Sequence, residues 1–351
     1  MAVETLLENN DLDAVVFFHL PTIRYLCDFS GSDGVLVVFR RQTFFLTDSR
    51  YTVQAREQVR ADDIIEYRSQ LPAVIDCLNR QGCRRVGFEA ATLAYATWDK
   101  LRKESADRWT WIPLDEPLQQ LRRCKRDAEI DKLRQAATLA ARGFEQIIDL
   151  VRPGAVEREI ALELEFALKR LGADEKAFDF IVASGPRGAM PHGIASDKAI
   201  ASGELVTIDY GVVKDGYHSD ETVTFAVGEI SSDLRRIYDI VLAAHDAAID
   251  QLRPGMGLRE LDAVARELIA AEGYGDYFGH GLGHGVGLEI HEYPAVSPRA
   301  RGLVEPGMVL TIEPGIYVPG LGGVRIEDTL LVTDSGNEIL TRLPKGFRTL
   351  G

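Results

Sequence analysis

Val206-Thr207-Ile208-Asp209-Tyr210-Gly211, followed by Ser219-Asp220-Glu221-Thr222, is written a second time as Leu310-Thr311-Ile312-Glu313-Pro314-Gly315, followed by Ile326-Glu327-Asp328-Thr329. Each copy ends an apolar strand in an acid and brings in a second acid shortly after. Val206, Ile208, Leu310 and Ile312 mark these strands as buried, and a buried carboxylate must be paired or hold a cation. A structural salt bridge accounts for any one such acid. It does not account for four acids related by a repeat, with Arg325 as the main nearby base.

The repeat reaches beyond the hairpins. Arg152-Pro153-Gly154 returns as Arg253-Pro254-Gly255, an offset of 101 (253 − 152). Leu133 and Leu234, Arg158 and Arg259, Glu159 and Glu260, and Gly172 and Gly273 keep that offset. The hairpins recur at 104 (313 − 209) and 107 (327 − 220). Each half reads as helix, Arg-Pro-Gly turn, helix and antiparallel strands. Two such halves are expected to pack about a pseudo-twofold axis that gathers the four acids.

Between the hairpins lies Gly279-His280-Gly281-Leu282-Gly283-His284-Gly285, whose glycines permit close backbone approach. His284 is assigned to metal and His280 to its support. His291, just before Glu292-Tyr293-Pro294, suits substrate contact, and His192 in Met190-Pro191-His192-Gly193 is a weaker loop candidate. His19, His218 and His245 belong to no constellation and default to structural or surface roles. A carboxylate-rich set with one imidazole favours Mn²⁺ and can accept Co²⁺, Zn²⁺ or Fe²⁺. Two such ions acidify a shared water into a nucleophile toward a carbonyl, and a ligating glutamate can pass its proton to a leaving amine. Metal-dependent hydrolysis is therefore the reading of the residues themselves.

The chain has 351 residues, which suggests roughly two domains. Ala14–Phe18, Val35–Phe39, Phe44–Thr47, Val86–Glu89 and Thr110–Pro113 read as strands. Ser49–Arg60, Pro72–Arg80 and Ala94–Glu104 read as helices, so the first part is α/β without a nucleotide-binding glycine fingerprint. Past Pro113 and Pro117 a long helix is expected, with Asp127 as its N-cap, and the domain boundary falls near residue 120. The reading is a small α/β domain over 1–120 and a duplicated α/β (α+β) catalytic domain over 121–351.

The net charge of −14 argues against non-specific binding to nucleic acid or anionic lipid. Cys27, Cys77, Cys83 and Cys124 show no CxxC pair and read as reduced thiols. The beginning of the chain has no basic n-region, and the Val15–Leu20 run is too short for a signal core or a membrane span. A cytoplasmic protein is the expectation.

On these residues the chain resembles the pita-bread metallopeptidases (family M24), most closely the prolidase and aminopeptidase P branch. Ile23-Arg24-Tyr25-Leu26, Gly31-Ser32-Asp33-Gly34 and Leu46-Thr47-Asp48-Ser49-Arg50-Tyr51 resemble that branch's first domain. The resemblance implies that Asp209 chelates one metal, that Asp220 and Glu327 bridge both, and that His284 and Glu313 hold the other. It also makes Glu313 the proton shuttle. His192 and His291 are implied to contact the scissile peptide and stabilise its tetrahedral intermediate, and Arg325 to sit beside Glu327. Cleavage before proline and a homodimer are implied as well. One departure stands out: relatives often read Ser-Asp-x-Thr-Arg-Thr where this chain has Ser219-Asp220-Glu221-Thr222-Val223-Thr224.

The expectation is thus an Xaa-Pro dipeptidase, with Arg299 and Arg301 as candidates for holding the substrate's carboxylate. The alternative is an Xaa-Pro aminopeptidase acting on longer peptides. A metal-free creatinase-like hydrolase and an inactive binding module are further rivals, and both would be expected to lose ligands that this chain keeps.

Overall fold

The computed structural model describes residues 2–351, which form two compact units that part between Arg122 and Arg123. In the first unit six strands pair in the order Asp63–Glu66, Thr43–Thr47, Val35–Phe39, Ala14–Phe17, Arg85–Glu89, Thr110–Leu114. Ala14–Phe17 is antiparallel to one neighbour and parallel to the other. Its side chains alternate between two apolar clusters, Ala14 and Val16 facing Val74 and Leu101, Val15 and Phe17 facing Ile23 and Phe45. The five expected strands form, with ends shifted by at most one residue.

Four elements of this unit were not expected, among them the one-turn helix Glu116–Gln119. The edge strand Asp63–Glu66 is capped by two exposed acids and shows no apolar run. Helix Leu20–Cys27 contains Pro21, Thr22, Ile23 and Tyr25, which disguise it; its proline sits in the first turn, where no amide donor is needed. Helix Ala2–Asn9 is only 8 residues long. The helix expected over Ser49–Arg60 shortens to Thr52–Gln58 because Asp48–Tyr51 closes a turn, with the Arg50 amide donating to Asp48 Oδ1 at 2.9 Å.

The second unit carries the duplication in its backbone. Helix Glu157–Arg170 and helix Leu258–Ala271 are both 14 residues long and begin 101 residues apart (258 − 157). Gly154 and Gly255 sit at φ 85° and 83°, and Gly172 and Gly273 at 97° and 88°, so each turn demands glycine twice over. The longer partner helices are Asp127–Glu145 and Ser232–Gln251. Asp127 is not the N-cap: Arg126 holds that position, and the Glu129 carboxylate accepts from its amide at 3.1 Å.

Each half lays a sheet on its helices. The first sheet pairs Ile181–Ser184, Glu204–Tyr210, Glu221–Val227 and Thr349–Leu350; the second pairs Glu292–Val296, Gly283–Gly285, Val309–Ile312, Asp328–Val332 and Asn337–Ile339. Phe144 stacks on Tyr210 and Phe225 in the first core. Ile237, Leu261 and Ile269 pack with Leu310, Ile312 and Leu330 in the second.

The ladders correct one detail of the repeat. Asp209 pairs with Thr222, and Thr311 pairs with Thr329. Register therefore makes Thr311, not Glu313, the counterpart of Asp209. Glu313 lies two residues farther on, past the last residue of the strand Val309–Ile312. The site is asymmetric in backbone position as well as in residue type.

Among the described residues no helix is long and apolar enough to cross a membrane. The four cysteines are free, and burial raises the thiols of Cys27 and Cys83 to about 11 and about 12, which makes them inert.

Candidate metal centre

Strand alternation aims the acids. In Glu221–Val227, Thr222 and Thr224 face the seam between the halves, while Val223 and Phe225 enter the first core. Val223, where relatives often carry arginine, is thus turned away from the site. Thr222 Oγ1 donates to Glu327 Oε2 at 2.6 Å, and Thr329 Oγ1 donates to the Asp220 carbonyl at 2.8 Å, so each hairpin grips the other.

The histidine strand is held equally tightly. A Cβ on Gly283 would fall 1.9 Å from the Thr311 carbonyl oxygen, and one on Gly285 would fall 2.7 Å from that of Tyr293. Only glycine on both sides lets this strand enter between its neighbours and deliver His284. Thr311 Oγ1 accepts from the His284 amide at 3.0 Å and donates to Glu313 Oε1 at 3.3 Å. His192 rides on the loop after Ile181–Ser184. Glu157, fully buried, holds that loop by accepting from the Ser184 amide and hydroxyl, both at 2.8 Å, and from Ser196 Oγ at 2.7 Å.

Nine of the residues singled out from the sequence line one cavity of about 520 Å³: Asp209, Asp220, His284, Glu313, Glu327, His192, His291, His280 and Arg325. Phe178, Ile181, Ile194 and Ile290 add an apolar wall. His192 and His291 are exposed, whereas Asp209, Asp220 and Glu327 are buried. His218, His19 and His245 do not line the cavity, nor do Arg299 and Arg301.

The charges inside do not balance. Arg325 is the one buried cation among the lining residues, and its hydrogen bonds are committed. Nη2 donates to Asp209 Oδ2 at 2.5 Å, Nη1 to Tyr317 Oη at 2.9 Å and to the Pro191 carbonyl at 3.1 Å, and Nε to Thr222 Oγ1 at 3.2 Å. Asp209 Oδ1 and Glu327 Oε1 are buried and accept no hydrogen bond from the described residues. Burial, then the neighbouring acids, holds the carboxyls of Asp220 and Glu327 well above their usual range. Burial also raises Glu313 to about 8.

His284 sharpens the point. Its Nδ1 donates to the Gly285 carbonyl at 3.1 Å, so the Nε2 lone pair faces Asp220 Oδ2 at 3.6 Å and Glu313 Oε1 at 3.4 Å. Burial and the adjacent His291 ring lower its pKa to about 4, which leaves it neutral. Asp220, His284 and Glu327 each offer a ligand atom, all within 4.8 Å of one another. Lone pairs converging on a common space, with two orphaned carboxylate oxygens beside them, suit divalent cations.

His280 has both ring nitrogens committed to hydrogen bonds. Its Nδ1 donates to the Gly281 carbonyl at 2.8 Å, and its Nε2 accepts from Tyr317 Oη at 2.9 Å. Tyr317 and Thr222 were not singled out from sequence. A tyrosine in the buried strand Gly315–Val318, directly after the acid, was the signal for the first.

A centre of this kind on two duplicated halves is that of a pita-bread metallopeptidase, and the chain belongs to metallopeptidase family M24. The pattern of that family matches residues 131–334, and the Creatinase/Prolidase N-terminal domain matches residues 2–124. An uncharacterized peptidase of Bacillus subtilis, YqhT, is 44% identical over 95% of this chain and 95% of its own. The solved Xaa-Pro dipeptidase from Bacillus anthracis superimposes with a TM-score of 0.96 at 41% identity, covering 99% of this chain and 98% of that one. An X-Pro aminopeptidase from Thermotoga maritima superimposes with a TM-score of 0.90 at 34% identity, covering 97% and 98%. The family is one of divalent-metal peptidases.

The raised carboxyls predict a pH signature. In the metal-stripped protein the unfolded chain loses the Glu313 proton first as pH rises, so stability falls between the ordinary value of 4.5 and about 8. Bound cations require the deprotonated form, so Mn²⁺ affinity rises across the same window. Melting curves with chelator and with Mn²⁺ should diverge as pH increases; parallel curves would contradict the assignment of Glu313.

Proposed function

We propose that the chain is a dinuclear Xaa-Pro peptidase, with Asp209, Asp220, His284, Glu313 and Glu327 as its metal ligands. The observation that carries the reading is the uncompensated cluster of buried carboxylates and one neutral imidazole on two hairpins around a single cavity. Asp209 would hold one ion and His284 and Glu313 the other, and Asp220 and Glu327 would serve both. The set is all oxygen except one nitrogen, which favours Mn²⁺ over Co²⁺, Zn²⁺ or Fe²⁺. When bound, two such ions supply Lewis acidity and a water acidified toward neutral pH.

The protein's own residues do the rest. Glu313 takes a proton at its carboxylate and returns it to the leaving proline nitrogen. His192 and His291, exposed at the cavity wall, donate to the scissile carbonyl as it gains charge. Arg325 fixes Asp209, and Tyr317, itself held by His280, fixes Arg325. Phe178, Ile181, Ile194 and Ile290 exclude water from the substrate. The protein works in the cytoplasm as a homodimer on dipeptides or short peptides with proline second, without nucleic acid or membrane partners. The unit that ends at Arg122 is its first domain and the unit from Arg123 its catalytic domain, against an expected boundary near residue 120.

The Xaa-Pro dipeptidase similarity favours dipeptides. One observation favours the longer-peptide reading: among the described residues the cavity is lined by no lysine and by no arginine except the committed Arg325. A dipeptide's carboxylate would then rest on His192 or His291. Mn²⁺-reconstituted protein assayed on Ala-Pro, Ala-Pro-Ala and Ala-Ala separates the cases. Turnover of Ala-Pro well above Ala-Pro-Ala supports a dipeptidase, and equal turnover supports an aminopeptidase. Hydrolysis of Ala-Ala alone would overturn the proline reading.

A further inference from the structure

The second acid of each pair, Glu221 or Asp328, turns away from the cavity and is buried. Both meet one cation. Lys345 Nζ lies 2.5 Å from Glu221 Oε1 and 3.3 Å from Asp328 Oδ1, with its side chain 7% exposed. Around this trio the Leu343 amide donates to Glu221 Oε1 at 3.0 Å, and Thr341 Oγ1 donates to Asp328 Oδ1 at 2.5 Å. Tyr210 Oη donates to Glu221 Oε2 at 3.4 Å, and His245 Nε2 lies 3.2 Å from Asp328 Oδ2.

The lysine is not a free surface arm. Tyr238 Oη donates to the Lys345 carbonyl at 2.8 Å, Phe347 packs edge-on against Tyr238, and Thr349–Leu350 adds to the first sheet beside Ala226 and Val227. Burial opposes its charge, but the carboxylates of Glu221 and Asp328 outweigh burial and hold its pKa above the ordinary lysine value. Lys345 therefore ties the two repeats together directly behind Asp220 and Glu327.

We propose that Lys345 is a positioning residue of the metal centre: by clamping Glu221 and Asp328 it sets the spacing of the adjacent Asp220 and Glu327, and so the affinity for the second ion. The proposal rests on the ligand assignment above. Without the clamp, two adjoining acid pairs would repel across the seam. A buried ion pair need not add stability, so thermal melting alone cannot test this role. The spacing of the ions can.

The experiment titrates Mn²⁺ into metal-stripped wild type, Lys345→Met and Glu221→Gln, reading stoichiometry by calorimetry and exchange coupling between the ions by electron paramagnetic resonance. Glu221→Gln is isosteric and can still accept from the Leu343 amide, so it serves whether or not Lys345→Met folds. Wild type is expected to bind two coupled ions. Both variants are expected to keep the first ion, to weaken the second by about tenfold or more, and to lose the coupled signal, with kcat falling more than KM changes. Lys345→Met combined with Glu221→Gln removes both charges; it should recover melting temperature without recovering the second ion. Unchanged ion affinity and coupling in a folded single variant would overturn the proposal, as would their full recovery in the double variant. Failure of wild type to bind two ions would instead overturn the ligand assignment beneath it.

Discussion

Glu313→Gln is expected to lower kcat on an Xaa-Pro substrate by roughly 10²–10⁴-fold, the range that general acid–base catalysis contributes. Thr311 Oγ1 steadies the carboxylate at 3.3 Å, and His284 Nε2 lies 3.4 Å away; burial raises this proposed ligand to about 8, a proton affinity that suits a shuttle. Glutamine keeps the shape and one ligating oxygen but can neither take nor return the proton. The loss should therefore fall on kcat far more than on KM, and Mn²⁺ binding should weaken without vanishing. Steady-state kinetics with a parallel Mn²⁺ titration check this. Wild-type turnover in the variant would remove the proton-transfer role.

Asp220→Asn is expected to separate stability from function. Asp220 is buried against Glu327, Asp209 and Glu313, and its carboxyl is pushed well above the usual range. Taking away its charge relieves that repulsion, so the metal-stripped variant should melt higher than the metal-stripped wild type. The same change would remove a residue proposed to serve both ions. Partners that only orient ligands are worth about 10–100-fold in affinity, so losing this ligand should cost more. Mn²⁺ should then no longer raise the melting temperature, and hydrolysis should be abolished. Thermal melting with and without Mn²⁺ gives both readings. A variant that is destabilised when metal-free yet stabilised by Mn²⁺ like wild type would contradict the assignment.

Much of this site was legible in the chain because a repeat multiplies weak signals. One acid in an apolar strand means little, but Asp209, Asp220, Glu313 and Glu327 in duplicated hairpins mean a shared task. The helix offset of 101 residues reappears as paired glycines in left-handed conformation. Register was not legible. The motif aligns Asp209 with Glu313, whereas the ladder aligns it with Thr311, because backbone hydrogen bonds rather than residue type decide pairing. Tyr317 was hidden for a similar reason: its partners, His280 and Arg325, come from other strands and loops. The partner of Glu221 was hidden too, because Lys345 lies 124 residues away. Arg299 and Arg301 looked suited to a carboxylate from proximity in sequence, but proximity to His291 did not bring them to the cavity.

The most direct test of the central claim is anomalous diffraction from crystals of the Mn²⁺-loaded protein. Two peaks are predicted in the cavity, roughly 3.5–4 Å apart, touching Asp209, Asp220, His284, Glu313 and Glu327. No peak there, or ions held by other residues, would contradict it.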